Sequence, residues 1–423
     1  MSLAVFGEIG MDLLLNNDTR IIPRVGGAGL YASIAAAKQG LKVDFLTVYG
    51  PEIESYSLNF WGVMGISTQQ SLYLENYSVP RYLVTGYKAF ERKNSTPMTD
   101  VKIGLDYSPS LNEDCKGVLL FPLDHSFPES MCRQAFEEGI PIFLDPKPND
   151  KSIQQARGIL KYVTVLLVNE EEALLLSESV EINEAIKKLE RMGPEYIVIK
   201  RGHKGCILVQ NEKIIEIPAY KSNVVCTLGS GDAFGGALAA TFLETGDIEY
   251  SVQIGNCVAA NFIESFAIET VIDKVGVEKD ICYREKFIIN ESSPQRVYLA
   301  GPFFSKQELD WVQHVSNRLE DARFTILSPS RENGIINNDT LLEQRQNIFQ
   351  ADIKLLDSAD IVIALLDHDD PGTCFEVGYA FEKGIPVYGC RTSQRNLNNM
   401  IQFGCVQIID NIEELIKVLY EQK

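Results

Sequence analysis

The 423 residues are too many for a single hydrophobic core, which stops growing at about 250–300 residues, so two domains are expected. A content of 45% hydrophobic and 23% charged residues excludes a disordered or fibrous chain. Acidic residues outnumber basic ones 58 to 39, and a formal charge of -19 without any basic run excludes a nucleic-acid partner, while no stretch approaches the ~18 apolar residues of a membrane span.

In chain order, short β-rich runs occur at Ala4–Phe6, Lys42–Val48, Gly117–Phe121, Ile140–Leu144, Thr164–Val168 and Tyr196–Ile199, most of them followed by an amphipathic stretch. This alternation predicts a parallel sheet covered by helices. Ser71–Thr99 breaks the rhythm, because Tyr, Val and Thr alternate there with polar residues and no helix intervenes, which predicts a small antiparallel sheet projecting from the main one. The turn formers Asn290-Glu291-Ser292-Ser293-Pro294-Gln295 then separate a first domain, 1–287, from a second, 297–423, with 288–296 as linker. The second domain repeats the pattern at smaller scale, with strands at Val297–Pro302, Thr325–Leu327, Ile361–Leu366, Pro386–Gly389 and Val406–Ile409. Nine scattered cysteines with no CxxC pair and no histidine at metal-ligand spacing read as reduced thiols, and Met1–Gly10 has no leader pattern, so a cytoplasmic protein is expected.

The most informative stretch is Cys226-Thr227-Leu228-Gly229-Ser230-Gly231-Asp232, which follows the strand-like Val224-Val225 and opens an apolar helix. Gly229 and Gly231 let backbone N–H groups converge, and the helix dipole adds positive charge at the same point, as a phosphoryl group in transfer requires. Asp232 stands where a base takes the proton of an attacking hydroxyl. Taken alone, the same residues also describe a turn with a capping Asp.

The segment resembles the Asp-Thr-x-Gly-Ala-Gly-Asp motif of the PfkB/ribokinase carbohydrate kinases, and other motifs of that family follow in order across 1–285. The resemblance implies a ribokinase-like α/β domain with a small β lid, ATP and Mg2+ as cofactors, and a sugar or nucleoside substrate. By resemblance, Gly7-Glu8-Ile9-Gly10-Met11-Asp12 is the opening strand, whose Asp12 holds sugar hydroxyls together with Gly26 and Gly27 of the first glycine motif. ATP and its phosphates fall to Asn169, Glu172, Gly202, Gly229, Ser230, Gly231 and Asn256, with Glu172 facing Mg2+ through water. This chain departs from the family at three places. Tyr31 replaces a sugar-contacting Asn, Cys226 replaces the first Asp of the motif and leaves monovalent-cation activation open, and Lys200 replaces the Thr of a Thr-x-Gly strand end.

In the second domain the strand Ile361–Leu366 delivers Asp367, His368, Asp369 and Asp370 to its carboxyl end, where ligands bind in open α/β sheets, and Pro371-Gly372 leads into a helix with Glu376. Carboxylates at such an edge suit cleavage of a glycosidic bond. For Asp357, Asp367, His368 and Asp369 capping or solvation is the simpler reading. Glu376, inside a helix, has no capping role to fill.

This half resembles the nucleoside 2-deoxyribosyltransferases over nearly all of 297–423, through Tyr298-Leu299-Ala300-Gly301-Pro302 and Asp370-Pro371-Gly372-Thr373-x-x-Glu376. The resemblance implies a smaller, flavodoxin-like parallel α/β domain. By the same resemblance, Glu376 is the expected nucleophile, Asp352 and Asp370 are expected to handle the base and its proton, and Tyr298 and Gly301 to lie at the nucleoside. Asn398 and Met400 would reach the site of a neighbouring subunit, so at least a dimer is expected. A related family hydrolyses deoxynucleotides through phosphate-binding serines, for which Ser305 is the candidate. The combined expectation is a bifunctional enzyme of nucleoside salvage acting on small-molecule sugars, nucleosides and nucleobases. The alternative is a C-terminal N-glycosidase beside a kinase fold that serves as a ligand sensor or scaffold.

Overall fold

The computed structural model describes the chain except for residues 16–20, 54, 86–93, 98–106, 108, 123–128, 288–294, 303–304, 323, 335–340, 369, 393–396 and 422–423. It separates into two compact units, and the division falls between residues 288 and 289. Among the described residues no helix is long and apolar enough to cross a membrane.

The first unit is built on a nine-stranded sheet in the order Lys213–Ile217, Cys206–Gln210, Tyr196–Lys200, Val165–Asn169, Ile142–Leu144, Cys115–Leu120, Ser2–Phe6, Lys42–Leu46, Ile66–Ser67. Its strands run parallel from Ile66–Ser67 to Tyr196–Lys200, and a hairpin adds the last two antiparallel. The central strands are apolar without alternation and fully buried, because helices cover both faces. Two alanine-rich helices, Ala28–Lys38 and Ser230–Thr245, pack side by side. A Cβ on Gly236 would run into the backbone of Ala32, so only glycine allows this approach. Their closeness sets the first glycine motif beside the start of the second helix.

The projecting sheet differs from the expectation. It has four strands in the order Ile21–Gly26, Gly10–Leu15, Arg81–Thr85, Asn94–Pro97, and its central pair is parallel. Half of it therefore comes from residues before 27. Leu72–Tyr73 instead pairs in parallel with Val48–Tyr49, which splits the single strand expected over Lys42–Val48. The opening strand ends at Phe6, so Asp12 lies on the next strand and belongs to the projecting sheet, not the main one. Val224-Val225 forms no strand. For the segments that do form strands, hydrophobic alternation locates an extended stretch without naming its partner, which is settled by what the stretch packs against.

The second unit holds a five-stranded parallel sheet in the order Thr325–Leu327, Arg296–Ala300, Ile361–Leu365, Val387–Cys390, Gln407–Ile409. Numbered along the chain this is 2-1-3-4-5, the flavodoxin-like doubly wound order. Its switch point lies between Arg296–Ala300 and Ile361–Leu365, and apolar clusters on both faces bury Leu299 and Ile363 on one side and Tyr298 and Val362 on the other.

Candidate active sites

In the first unit Gly229 adopts a left-handed conformation (φ 88°) and starts the helix Ser230–Thr245 with no side chain capping it. The amides of the first turn, which lack intrahelical acceptors, form a receptor for an anion. Asp232 lies in that turn and is half-buried. Ser230 does not offer its hydroxyl outward, since it donates to the Thr227 carbonyl at 2.8 Å.

Lys200, at the end of its strand, reaches the same place. Its Nζ donates to Asp145 Oδ2 at 2.5 Å and stands 3.6 Å from where a Cβ on Gly231 would lie. Burial pushes the Asp145 carboxyl up to about 7 against the pull of Lys200. Burial alone would lower the Lys200 ammonium, but Asp145 and Glu172 outweigh it and hold it above its ordinary range. Burial likewise raises Glu172 despite Lys200. Glu172 and Asn169 form a reciprocal capping box, with Asn169 N–H donating to Glu172 Oε2 and Glu172 N–H to Asn169 Oδ1, each at 2.8 Å. Asn256 donates to the Pro218 carbonyl at 3.2 Å and accepts from Cys206 Sγ at 3.3 Å. Gly202 sits in a single helical turn, and open space lies where a Cβ would project from it.

These residues do not fit a directly coordinated divalent cation. The Asp145 carboxylate is taken by an ammonium and Glu172 accepts from a backbone N–H, and among the described residues no group of three His, Cys, Asp or Glu side chains is placed to hold a metal. A monovalent cation fits no better at Cys226. There Arg24 supplies the positive charge, donating to the Leu228 carbonyl at 3.1 Å and to Cys226 Sγ at 3.7 Å.

On the other side of the cradle, Asp12 is buried and accepts a hydrogen bond from the Tyr31 hydroxyl, while Arg24 lies 3.9 Å from the same carboxylate oxygen. Burial and Asp12 together push the Tyr31 phenol well above its ordinary range. A Cβ on Gly26 would strike both Tyr31 and Asp12, so the glycine motif meets resident side chains here. Sequence reasoning flagged Tyr31 and Lys200 as departures but missed Arg24. A lone charge in the strand Ile21–Gly26 was its only signal.

In the second unit the buried Tyr298 hydroxyl donates to Glu376 Oε1 at 2.5 Å, joining the first strand of the sheet to the helix Pro371–Lys383. Burial, with Asp352 and Asp370 nearby, raises the Glu376 carboxyl to about 8 although the Tyr298 hydrogen bond pulls it down. Asp352, on the helix Leu342–Asp357, is raised by burial and accepts from Asn333 Nδ2 at 2.8 Å. No sequence signal marked Asn333.

Asp370 is buried and caps the helix of Glu376, accepting from the Thr373 amide at 2.6 Å and its hydroxyl at 2.7 Å. Among the neighbouring acids, Asp367 accepts from the Thr392 amide and Asp357 from the Tyr379 hydroxyl, as structural residues do, and Asp369 lies outside the described residues. Gly301 follows the Tyr298 strand and faces Leu365 and Val312. Asn398 caps the short helix Asn399–Gly404 on which Met400 is exposed. Ser305 caps the helix Lys306–Asp321 in a capping box with Glu308.

Comparison with known proteins bears on both units. Residues 2–273 match the family model of pfkB family carbohydrate kinases, and 297–414 that of nucleoside 2-deoxyribosyltransferases. The cytidine kinase of Thermococcus kodakarensis is 25% identical over 272 residues, 60% of this chain and 93% of that protein. The deoxyribokinase of Salmonella typhi is 26% identical over 283 residues, 60% and 89% of the two chains. An aminoimidazole riboside kinase from Salmonella enterica and a nucleoside kinase from Burkholderia thailandensis share the fold, each at a TM-score of 0.56 and 16% identity, covering 66% and 67% of this chain and 100% of theirs. The chain belongs to the pfkB family of carbohydrate kinases, on a ribokinase-like α/β fold, and its residues 297–414 are similar to the nucleoside 2-deoxyribosyltransferases.

Proposed function

We propose that the chain is a bifunctional enzyme of nucleoside salvage: its second unit moves a 2-deoxyribosyl group between nucleobases, and its first transfers the γ-phosphoryl group of ATP to a sugar or nucleoside hydroxyl. The observation that carries the reading is the hydrogen bond from Tyr298 to Glu376 at the switch point of the second sheet. A carboxylate held there, with its pKa raised to about 8, is a strong nucleophile once ionised. Glu376 attacks C1′, the C1′–N bond breaks, and the base leaves with a proton delivered by Asp352 or Asp370. The glutamyl ester then passes the sugar to a second base. Ser305 is engaged as a helix cap, which favours nucleosides over nucleotides as substrates of this unit. Asn398 and Met400, on an exposed apolar edge with Phe403, complete the site of a second copy.

In the first unit Asp232 takes the proton of the acceptor hydroxyl while a new oxygen–Pγ bond forms and the bond to ADP breaks. The helix start at Gly229–Gly231 and Lys200 face the transferred charge. Magnesium arrives bound to ATP as part of the substrate. The engagement of Asp12 by Tyr31 favours a second reading, in which this unit senses a ligand without phosphorylating it.

The test is mass spectrometry of the protein incubated with deoxyinosine, adenine, ATP and magnesium. Deoxyadenosine lost in Glu376→Ala, and a phosphorylated product lost in Asp232→Asn, support the two activities. Base exchange without any phosphorylated product supports the sensing reading, and no exchange at all refutes the transferase.

A further inference from the structure

The carboxylate expected to hold an acceptor hydroxyl in the kinase unit already has resident partners. The Tyr31 phenol donates to Asp12, and the Arg24 guanidinium lies 3.9 Å from the same carboxylate and 5.0 Å from the centre of the Tyr31 ring. The ring extends from Asp12 to the phosphate cradle, since a Cβ on Gly26 would meet its hydroxyl and a Cβ on Gly229 its edge carbons. Phe262 closes it from behind at 5.6 Å, edge to face. Tyr31 is 2% exposed, Asp12 6% and Arg24 8%, so no open space separates them. A phenol oxygen thus makes the bond to Asp12 that a sugar hydroxyl would make, and an aromatic ring fills the gap to the helix start that carries Asp232.

Resting on the kinase reading above, we propose that Tyr31 is an acceptor-specificity residue, a displaceable occupant of the pentose subsite that makes this unit select nucleosides over free pentoses. An acceptor enters only by moving the ring, and a ligand shifts such an equilibrium by no more than its preference for the open state. A free pentose exchanges one hydrogen bond to Asp12 for another and brings no apolar surface to offset the lost burial of the ring. A nucleoside brings the same hydroxyls and a flat base whose contacts supply the difference. Arg24 stays in place through Leu228, so the cradle is held while Tyr31 moves.

The experiment uses the full chain in a Glu376→Ala background, in which nucleosides are not cleaved, and follows ADP formation from ATP. Cytidine, inosine and deoxyinosine are compared with ribose and deoxyribose, in protein with Tyr31, with Tyr31→Phe and with Tyr31→Asn. ATP affinity is titrated in each protein to certify an intact cradle. The expected nucleoside-to-pentose ratio of kcat/KM is above about 100 with Tyr31, and it falls at least about tenfold in Tyr31→Asn through a gain on pentoses. Tyr31→Phe, which keeps the ring and loses its hydrogen bond, lies between and carries the test should Tyr31→Asn not fold. Pentoses used as well as nucleosides by the Tyr31 protein, or a ratio unmoved by either variant, overturn the proposal and leave the kinase reading standing. ADP formed from no acceptor in any protein overturns both.

Discussion

The Tyr298 hydroxyl and the Glu376 carboxylate lie 2.5 Å apart although 78 residues separate them, because the first strand of the second sheet runs beside the strand that feeds the helix of Glu376. The hydrogen bond favours the ionised carboxylate and so opposes the burial that raises it. Tyr298→Phe should therefore slow base exchange about 10- to 100-fold and move the rising limb of its pH profile above that of the wild type, near pH 8. Rates measured from pH 5 to 10 check this. A limb that stays in place would mean that Tyr298 only packs.

The same carboxylate makes a stability prediction with a definite sign. Its folded pKa, about 8, lies above the ordinary 4.5, so the unfolded state gives up this proton first, and folding loses stability as pH rises from about 4.5 through 8. Glu376→Gln keeps an acceptor for Tyr298 but never ionises. It should melt higher than wild type at pH 9, by about 1 kcal/mol or more, and the gap should shrink toward pH 5. Calorimetric melting of both proteins across that range decides the point.

Asp232→Asn keeps the helix start and removes only the proposed base. ATP-dependent phosphorylation should fall by about 10²–10⁴, with ATP affinity changed little and base exchange unaffected. Assaying both reactions on one preparation separates a chemical role for Asp232 from a structural one.

Lys200→Met leaves the buried Asp145 and Glu172 without their shared cation. Removing one partner of a buried pair costs about 3–5 kcal/mol, so the first unit should be destabilised on that scale and lose at least about tenfold in ATP affinity. Lys200→Met with Asp145→Asn, which removes the stranded charge, should recover most of the stability but not the affinity. Denaturant unfolding and nucleotide titration of the single and double variants measure the two effects separately.

Much of the fold was legible from local pattern. Buried strands such as Val165–Asn169 and Ile361–Leu365 announce themselves as continuous apolar runs, and Gly229 precedes a helix because only a residue at ease with positive φ makes that turn. The projecting sheet was read only in part. The strands Gly10–Leu15 and Ile21–Gly26, which supply half of it, carry no mark of which sheet they join.

From sequence alone came the parallel α/β class, and with it the expectation of two domains and of Asp232 and Glu376 as reacting residues, because period, turn chemistry and motif are properties of neighbouring positions. Tertiary structure alone decided that Tyr31 occupies Asp12, that Lys200 pairs with Asp145 in the field of Glu172, that Arg24 holds the loop at Leu228, and that Asn333 steadies Asp352. Each of these joins side chains from different elements. Which of them meet is set by how helices and strands pack, and no local preference of the chain encodes that.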